Sequence, residues 1–249
     1  MIDFERVTKI FDSRLIIDNV DLTINKGEKV SIIGPSGCGK STMLRLIIGL
    51  QPVTFGRVMI EGDDVAKLSS TGLAKLRLKF GMVFQSSALF DSLDVGKNVG
   101  FGLKQNTDYD DNKINKIVAE KLEMVGLAGI ERTMPSELSG GMQKRVALAR
   151  AIATSPKILL YDEPTTGLDP ITSTVIENLI NKLNAELDVT SIVVTHQLST
   201  IYNTSDRIIM MHSGKLFEAG TPDEAKRNQN PIINHFLNGI VTPSERKEY

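Results

Sequence analysis

The sequence predicts an α/β fold built on a parallel sheet with crossover helices. Three observations carry that reading. Short apolar runs bounded by glycine or acidic residues alternate with amphipathic helical segments, the pattern of strand–helix–strand crossovers. Residues 1 to about 27 read instead as consecutive short strands, an antiparallel edge. Residues about 86–155 are mostly helical and interrupt the alternation, which predicts a helical subdomain.

In chain order, EKVSIIG (residues 28–34) is apolar on both faces across VSII, as a strand inside a parallel sheet must be. KSTMLRLIIGL follows as a helix stopped at Gly49. GRVMIEG (56–62) and KFGMVF (79–84) are further strands bounded by glycine. Within residues 112–127, Ile114, Ile117, Val118, Leu122 and Val125 fall on one stripe at helical spacing. QKRVALARAIA (143–153) is strongly helical, with a serine and two glycines just before it. KILLYDEP (157–164) and TSIVVTH (190–196) are short buried strands, and ITSTVIENLINKLNAEL between them is an amphipathic helix. A short helix in NPIINHFLNGI ends the domain, so residues 1–240 read as one domain and 241–249 as a short polar C-terminal tail.

Bulk composition narrows the function classes. A net charge of −1 argues against nucleic acid as the main partner, because a phosphate-backbone binder carries a basic excess. Hydrophobic content of 41% is ample for a core. The single cysteine, Cys38, excludes an intrachain disulfide and suits a reducing compartment. The opening MIDFERVTKIFD is charged and strand-like, unlike a signal peptide, and no apolar run approaches the ~18 residues that span a bilayer. The chain is therefore expected to be soluble and to serve a membrane only through a partner.

GPSGCGKS fits the phosphate-binding P-loop, following a predicted strand and opening a helix. Gly34, Pro35, Ser36, Gly37, Cys38 and Gly39 let backbone N–H groups converge on phosphate oxygens, and the helix dipole adds to them. Lys40 is placed for the β- and γ-phosphates, Ser41 for Mg²⁺, and Thr42, one residue deeper, for the α-phosphate. Cys38 reads as a small filler of the loop, not a nucleophile. Asp162 ends an apolar strand where it would hold Mg²⁺ through water, and Glu163 follows as a general base for an attacking water. The bland alternative is a pair of surface acids. His196 ends another apolar strand, at the edge where α/β sheets bind ligands, and would sense the γ-phosphate. Gln85 closes KFGMVFQ; its amide can reach Mg²⁺ and the attacking water, or simply be a polar strand terminus. His212 and His235 carry no such context.

Taken in order, GPSGCGKST, Gln85, LSGGM, ILLYDEP, GLDP and the TH at His196 resemble the nucleotide-binding subunit of ATP-binding-cassette transporters, over about residues 2–225. The resemblance implies a P-loop NTPase cassette with a RecA-like core, an antiparallel β subdomain and a helical subdomain, hydrolysing ATP with Mg²⁺. It implies that Phe11 stacks on adenine without reading base edges, and that Asp169 of GLDP lies in the loop that meets the partner subunit's P-loop. Two copies would meet head to tail as a homodimer. Ser139 and the amides of Gly140 and Gly141 would then cover the γ-phosphate held by the other copy, as an anion nest at a helix N-terminus. Glycine is expected there because a Cβ would block the approach to phosphate. Met142 stands where glutamine is commoner, and leaves the nest untouched. ATP then biases a two-state device through its differential contacts.

A cassette of this kind drives a separate permease. Residues 86–104, with Leu89, Phe90, Leu93, Val95, Val99 and Phe101, match the groove that receives the permease's coupling helix, part of their apolar surface being core. ALFDSLDVGKNV, LSGGMQKR, GLDPITS and PIINHFLNGI are similar to one branch of the family. Its members work with an MlaE-like permease and an MCE-type lipid-binding protein to move phospholipid between bacterial membranes. The alternative is import of an amino acid or other small solute. Either reading places the chain in the cytoplasm, peripheral on the inner membrane. VTPSERKEY leaves little length for an arm reaching the partner subunit. A translation-type machine would carry two cassettes and a DNA-repair type a long coiled coil; this chain has one P-loop, one LSGG and no such heptads. A regulatory ATP binder would have lost Glu163 or His196, and both are present.

Overall fold

A computed structural model describes residues 1–240; the tail read at 241–249 lies outside the described residues. The chain begins with strands β1 (Ile2–Phe11), β2 (Arg14–Ile24) and β3 (Lys29–Ile33), then α1 (Lys40–Ile47), β4 (Phe55–Ile60), β5 (Asp63–Asp64) and α2 (Ser70–Arg77). Next come β6 (Phe80–Val83), α3 (Val95–Asn106), α4 (Asp111–Met124), α5 (Gly140–Ile152), β7 (Ile158–Asp162) and α6 (Pro170–Leu187). It closes with β8 (Thr190–Thr195), α7 (Leu198–Thr204), β9 (Arg207–His212), β10 (Lys215–Gly220), α8 (Pro222–Lys226) and α9 (Pro231–Leu237). Two compact units divide it: Met1–Leu73 with the chain from Ile192 onward, and Ala74–Ser191.

In the first unit, β2, β1, β4 and β5 form an antiparallel sheet in that order. The β1–β2 hairpin turns on Asp12 and Ser13, both at positive φ, as a two-residue type I′ turn requires. A register shift between Phe4 and Val7 leaves Arg6 at positive φ, its N–H held by Asp21 Oδ1 at 2.8 Å. The segment GRVMI, read as a strand from its sequence, belongs to this antiparallel layer as β4. Its burial shows why: Val58 and Ile60 are buried while Phe55 and Arg57 are exposed, a one-faced strand. Strand β3 runs parallel to β9, which pairs antiparallel with β10. Neither β9 nor β10 was read from the sequence. Ile33, Ile201, Ile208, Met210, Ile233 and Leu237 form one buried cluster that seats α7 and α9 against β3 and β9.

In the second unit, β6 and β7 pair in parallel. Helix α5 lies so close to β6 that a Cβ built on Gly81 would overlap the Ala151 carbonyl oxygen. Gly81→Ala is expected to lower the unfolding free energy by about 2–3 kcal/mol through overpacking, read as a lower midpoint in urea; an unchanged midpoint would show that the contact yields. Between residues 86 and 155 the described elements are α3, α4, α5 and one 3₁₀ turn at Pro135–Glu137. The stripe on α4 is buried at Ile114, Val118 and Leu122, with Val125 just beyond the helix and Ile117 at its rim. Buried Asn98 of α3 accepts from Phe90 N (2.8 Å) and donates to the carbonyls of Phe90, Leu93 and Asp94, fixing the loop before the helix. No helix among the described residues is long and apolar enough to cross a membrane.

Candidate nucleotide site

The first unit supplies the P-loop. Strand β3 delivers Gly34 at a φ of 149°, and a Cβ there would overlap the Met211 carbonyl oxygen, so only glycine lets the loop leave the strand on this path. Pro35 to Gly39 curl to α1, whose N-cap Gly39 provides no side-chain cap. The first N–H groups of α1 therefore point out of the helix without a capping side chain, the arrangement that receives anions. Lys40 is buried and its Nζ donates to Gly34 O at 2.8 Å and Pro35 O at 3.0 Å. An ammonium has three donors, so one remains for a phosphate. Ser41 and Thr42, half-buried, occupy the first turn of α1, and Cys38 is half-buried in the loop.

Phe11 ends β1 half-buried, with Lys9 Nζ 4.4 Å from its ring centroid. Part of its ring is therefore open to solvent. His196 follows β8 and is exposed; Gln197 N behind it is held by Thr195 Oγ1 at 3.1 Å.

The second unit carries the carboxylates. Asp162 is the last residue of β7, half-buried after four buried residues. Glu163 is 8% exposed and sits at a φ of 50°, a strained backbone for a side-chain-bearing residue. Thr166 Oγ1 donates to its Oε2 at 3.0 Å, fixing the carboxylate's direction. Gln85 is exposed beyond β6, and its carbonyl oxygen receives Lys144 Nζ at 2.5 Å. Lys144, in α5, is buried; burial lowers its pKa, while Asp162 and Glu163 act electrostatically to hold its charge. Two turns on, Arg150 donates to the carbonyls of Ser87 (2.7 Å) and Ala88 (2.6 Å), both at positive φ. Sequence reading passed over Lys144, Arg150 and Thr166. A signal existed for Lys144: it lies on the helical stripe of buried Leu148 and Ala151.

Ser139, Gly140, Gly141 and Asp169 come together around one shallow cleft of about 350 Å³. Ser139 is the N-cap of α5, its hydroxyl accepting from Met142 N at 3.3 Å. The N–H groups of Gly140 and Gly141 lead the helix and have no carbonyl behind them. A Cβ on Gly141 would crowd Thr172 Cγ2, so packing inside the chain favours glycine here. Asp169 caps α6, accepting from Ile171 N and Thr172 N, both at 3.0 Å, and from Thr172 Oγ1 at 2.5 Å. The Thr172 hydroxyl and the helix N–H groups lower its pKa. Ile171, 80% exposed, and Val175 border the same cleft.

A phosphate-cradling loop on an α/β fold, with a strand-end acidic pair elsewhere in the chain, defines a P-loop nucleotide-hydrolysing protein. The ABC transporter family model matches residues 17–166, and the chain belongs to that family, as one of its ATP-hydrolysing cassettes. It is 41% identical over 249 residues to the intermembrane phospholipid transport system ATP-binding protein MlaF of Haemophilus influenzae, covering all of this chain and 94% of that one. It is also 41% identical over 253 residues to the methionine import ATP-binding protein MetN of Geobacillus kaustophilus, covering all of this chain and 74% of the relative. Among solved structures, the dimeric post-hydrolysis state of the ATP-binding cassette MJ0796, bound to ADP and Pi, superposes with a TM-score of 0.80 at 37% identity. That match covers 88% of this chain and 98% of the other.

Proposed function

We propose that this chain is the ATP-hydrolysing subunit of a phospholipid transporter acting between bacterial membranes. The end-to-end likeness to a phospholipid-transport ATP-binding protein carries this reading. The chain binds ATP through Gly34–Thr42, with Lys40 on the β- and γ-phosphates and Phe11 against adenine. Glu163 draws a proton from the attacking water as the γ-phosphoryl group departs, and His196 hydrogen-bonds that group. Mg²⁺ arrives on the triphosphate, and the Ser41 hydroxyl, the Gln85 amide oxygen and the Asp162 carboxylate are oxygen donors of the kind it takes. When bound, Mg²⁺ neutralises charge developing on the phosphates.

Two copies act as a homodimer, each presenting Ser139, Gly140 and Gly141 to the other's nucleotide. Exposed Ile171 and Val175 beside those residues support such a surface. An apolar cleft of about 540 Å³, lined by Leu78, Phe84, Phe90 and Phe101, supports docking of an MlaE-like permease near residues 86–104. All four side chains are exposed, and the rings of Phe90 and Phe101 lie 4.7 Å apart. Of the other apolar residues in that stretch, Val95 and Val99 are core, and Leu89 and Leu93 are half-buried. An MCE-type lipid-binding protein completes the complex, and the chain sits on the cytoplasmic face of the inner membrane.

Affinity capture from detergent-solubilised membranes is expected to recover a multispanning permease, and ATPase activity of that complex to rise with glycerophospholipid. Stimulation by an amino acid instead would favour the importer reading that the similarity to MetN keeps open.

A further inference from the structure

Lys144 occupies a position that packing alone would give to an apolar residue. It shares a helical stripe with buried Leu148 and Ala151 and is itself only 4% exposed. Its Nζ donates to Gln85 O at 2.5 Å and reaches Phe84 O at 3.4 Å. Burying an ammonium is costly unless its hydrogen bonds are met, and a loop tether would not require it here. Arg150 already holds the loop through Ser87 and Ala88. Lys144 alone among these two cations acts on the peptide of Gln85. It does so from the helix whose first residues are the glycines Gly140 and Gly141.

We propose that Lys144 is a positioning residue for Gln85, locking the backbone from which the Gln85 amide projects to the helix that presents Ser139, Gly140 and Gly141. Movement of the segment after Gln85 is then transmitted to α5 as one piece. Burial lowers the pKa of the ammonium, and Asp162 and Glu163 oppose that shift. This inference rests on the proposed role of Gln85 at the Mg²⁺ and the attacking water.

The test is a kinetic cycle on the full chain with Mg-ATP. Lys144→Met is expected to lower kcat about tenfold, since misplacing a positioned group by a fraction of an ångström has effects of that order. KM for ATP should change by less than about twofold, because the P-loop is untouched. Lys144→Arg, which keeps a cationic donor, should restore about half of the rate. Adding Lys144→Met to Gln85→Ala should slow the enzyme by less than about twofold further, since the residue acts only through the missing amide. A wild-type kcat for Lys144→Met, or losses that multiply in the double variant, would overturn the proposal. If Gln85→Ala alone leaves kcat unchanged, the role of Gln85 falls and that of Lys144 with it. If Gln85→Ala slows turnover and Lys144→Met does not, only Lys144 is misassigned. Should Lys144→Met fail to fold, Lys144→Gln retains an N–H donor without the charge and is read by the same cycle, with about a threefold loss expected.

Discussion

Glu163→Gln slows ATP turnover at least ~100-fold while leaving ATP bound, the loss expected when a positioned general base is removed. The substitution is unusually clean here. The amide keeps the shape of the carboxyl, and its oxygen can still accept the hydroxyl of Thr166, which lies 3.0 Å from the present carboxylate. The left-handed backbone at position 163 is unaltered, so thermal stability should move little. What disappears is the capacity to take a proton from water. With binding intact and hydrolysis blocked, the ATP-bound homodimer accumulates, visible as a doubling of mass on size exclusion with Mg-ATP. Retained turnover would remove Glu163 from the chemistry. A slow enzyme that stayed monomeric with ATP bound would instead remove the head-to-tail dimer and leave the general base standing.

What the sequence revealed, and what it hid, follows from the range of the forces involved. The P-loop was legible because strand, turn, lysine and helix are consecutive and each residue's role is local. The place of Asp162 and Glu163 at the end of a buried strand was legible for the same reason. The strain at Glu163 and its tie to Thr166 were not legible, because backbone dihedrals are set by the completed turn. The apolar pattern in α4 located its buried face correctly, but β9 and β10 were not read from the sequence. GRVMI was read correctly as a strand, but its one-sidedness rests on only two buried positions, Val58 and Ile60, so its layer was not legible. Lys144 escaped for a deeper reason. A lysine beside an arginine in a helix reads as solvated surface, and only the carbonyls of Phe84 and Gln85, some sixty residues away, make it an interior group. Gly141 was expected for close approach to phosphate; the structure shows a separate packing reason, since a Cβ there would come within 2.6 Å of the Thr172 methyl.

Lys40→Ala is the complementary experiment, because it acts on binding and not on hydrolysis. The ammonium is buried against two carbonyls of its own loop, so the substitution removes a tie that shapes the P-loop together with the charge proposed to meet the phosphates. A hydrogen bond to a charged group contributes about 1.5–3 kcal/mol, which corresponds to about 10- to 100-fold in Kd for ATP. Calorimetric titration reads this directly, and the rise in unfolding temperature that ATP gives the wild-type chain should shrink in parallel. The loss could have two origins, and Lys40→Met separates them, since the thioether keeps most of the stem's packing and none of the charge. Equal losses in Ala and Met assign the effect to the ammonium and confirm that the loop is built to hold a polyanion. Normal binding by the Met variant would mean that the stem, and not the charge, shapes the loop, and the phosphate contacts would have to be reassigned to the backbone N–H groups at the start of α1.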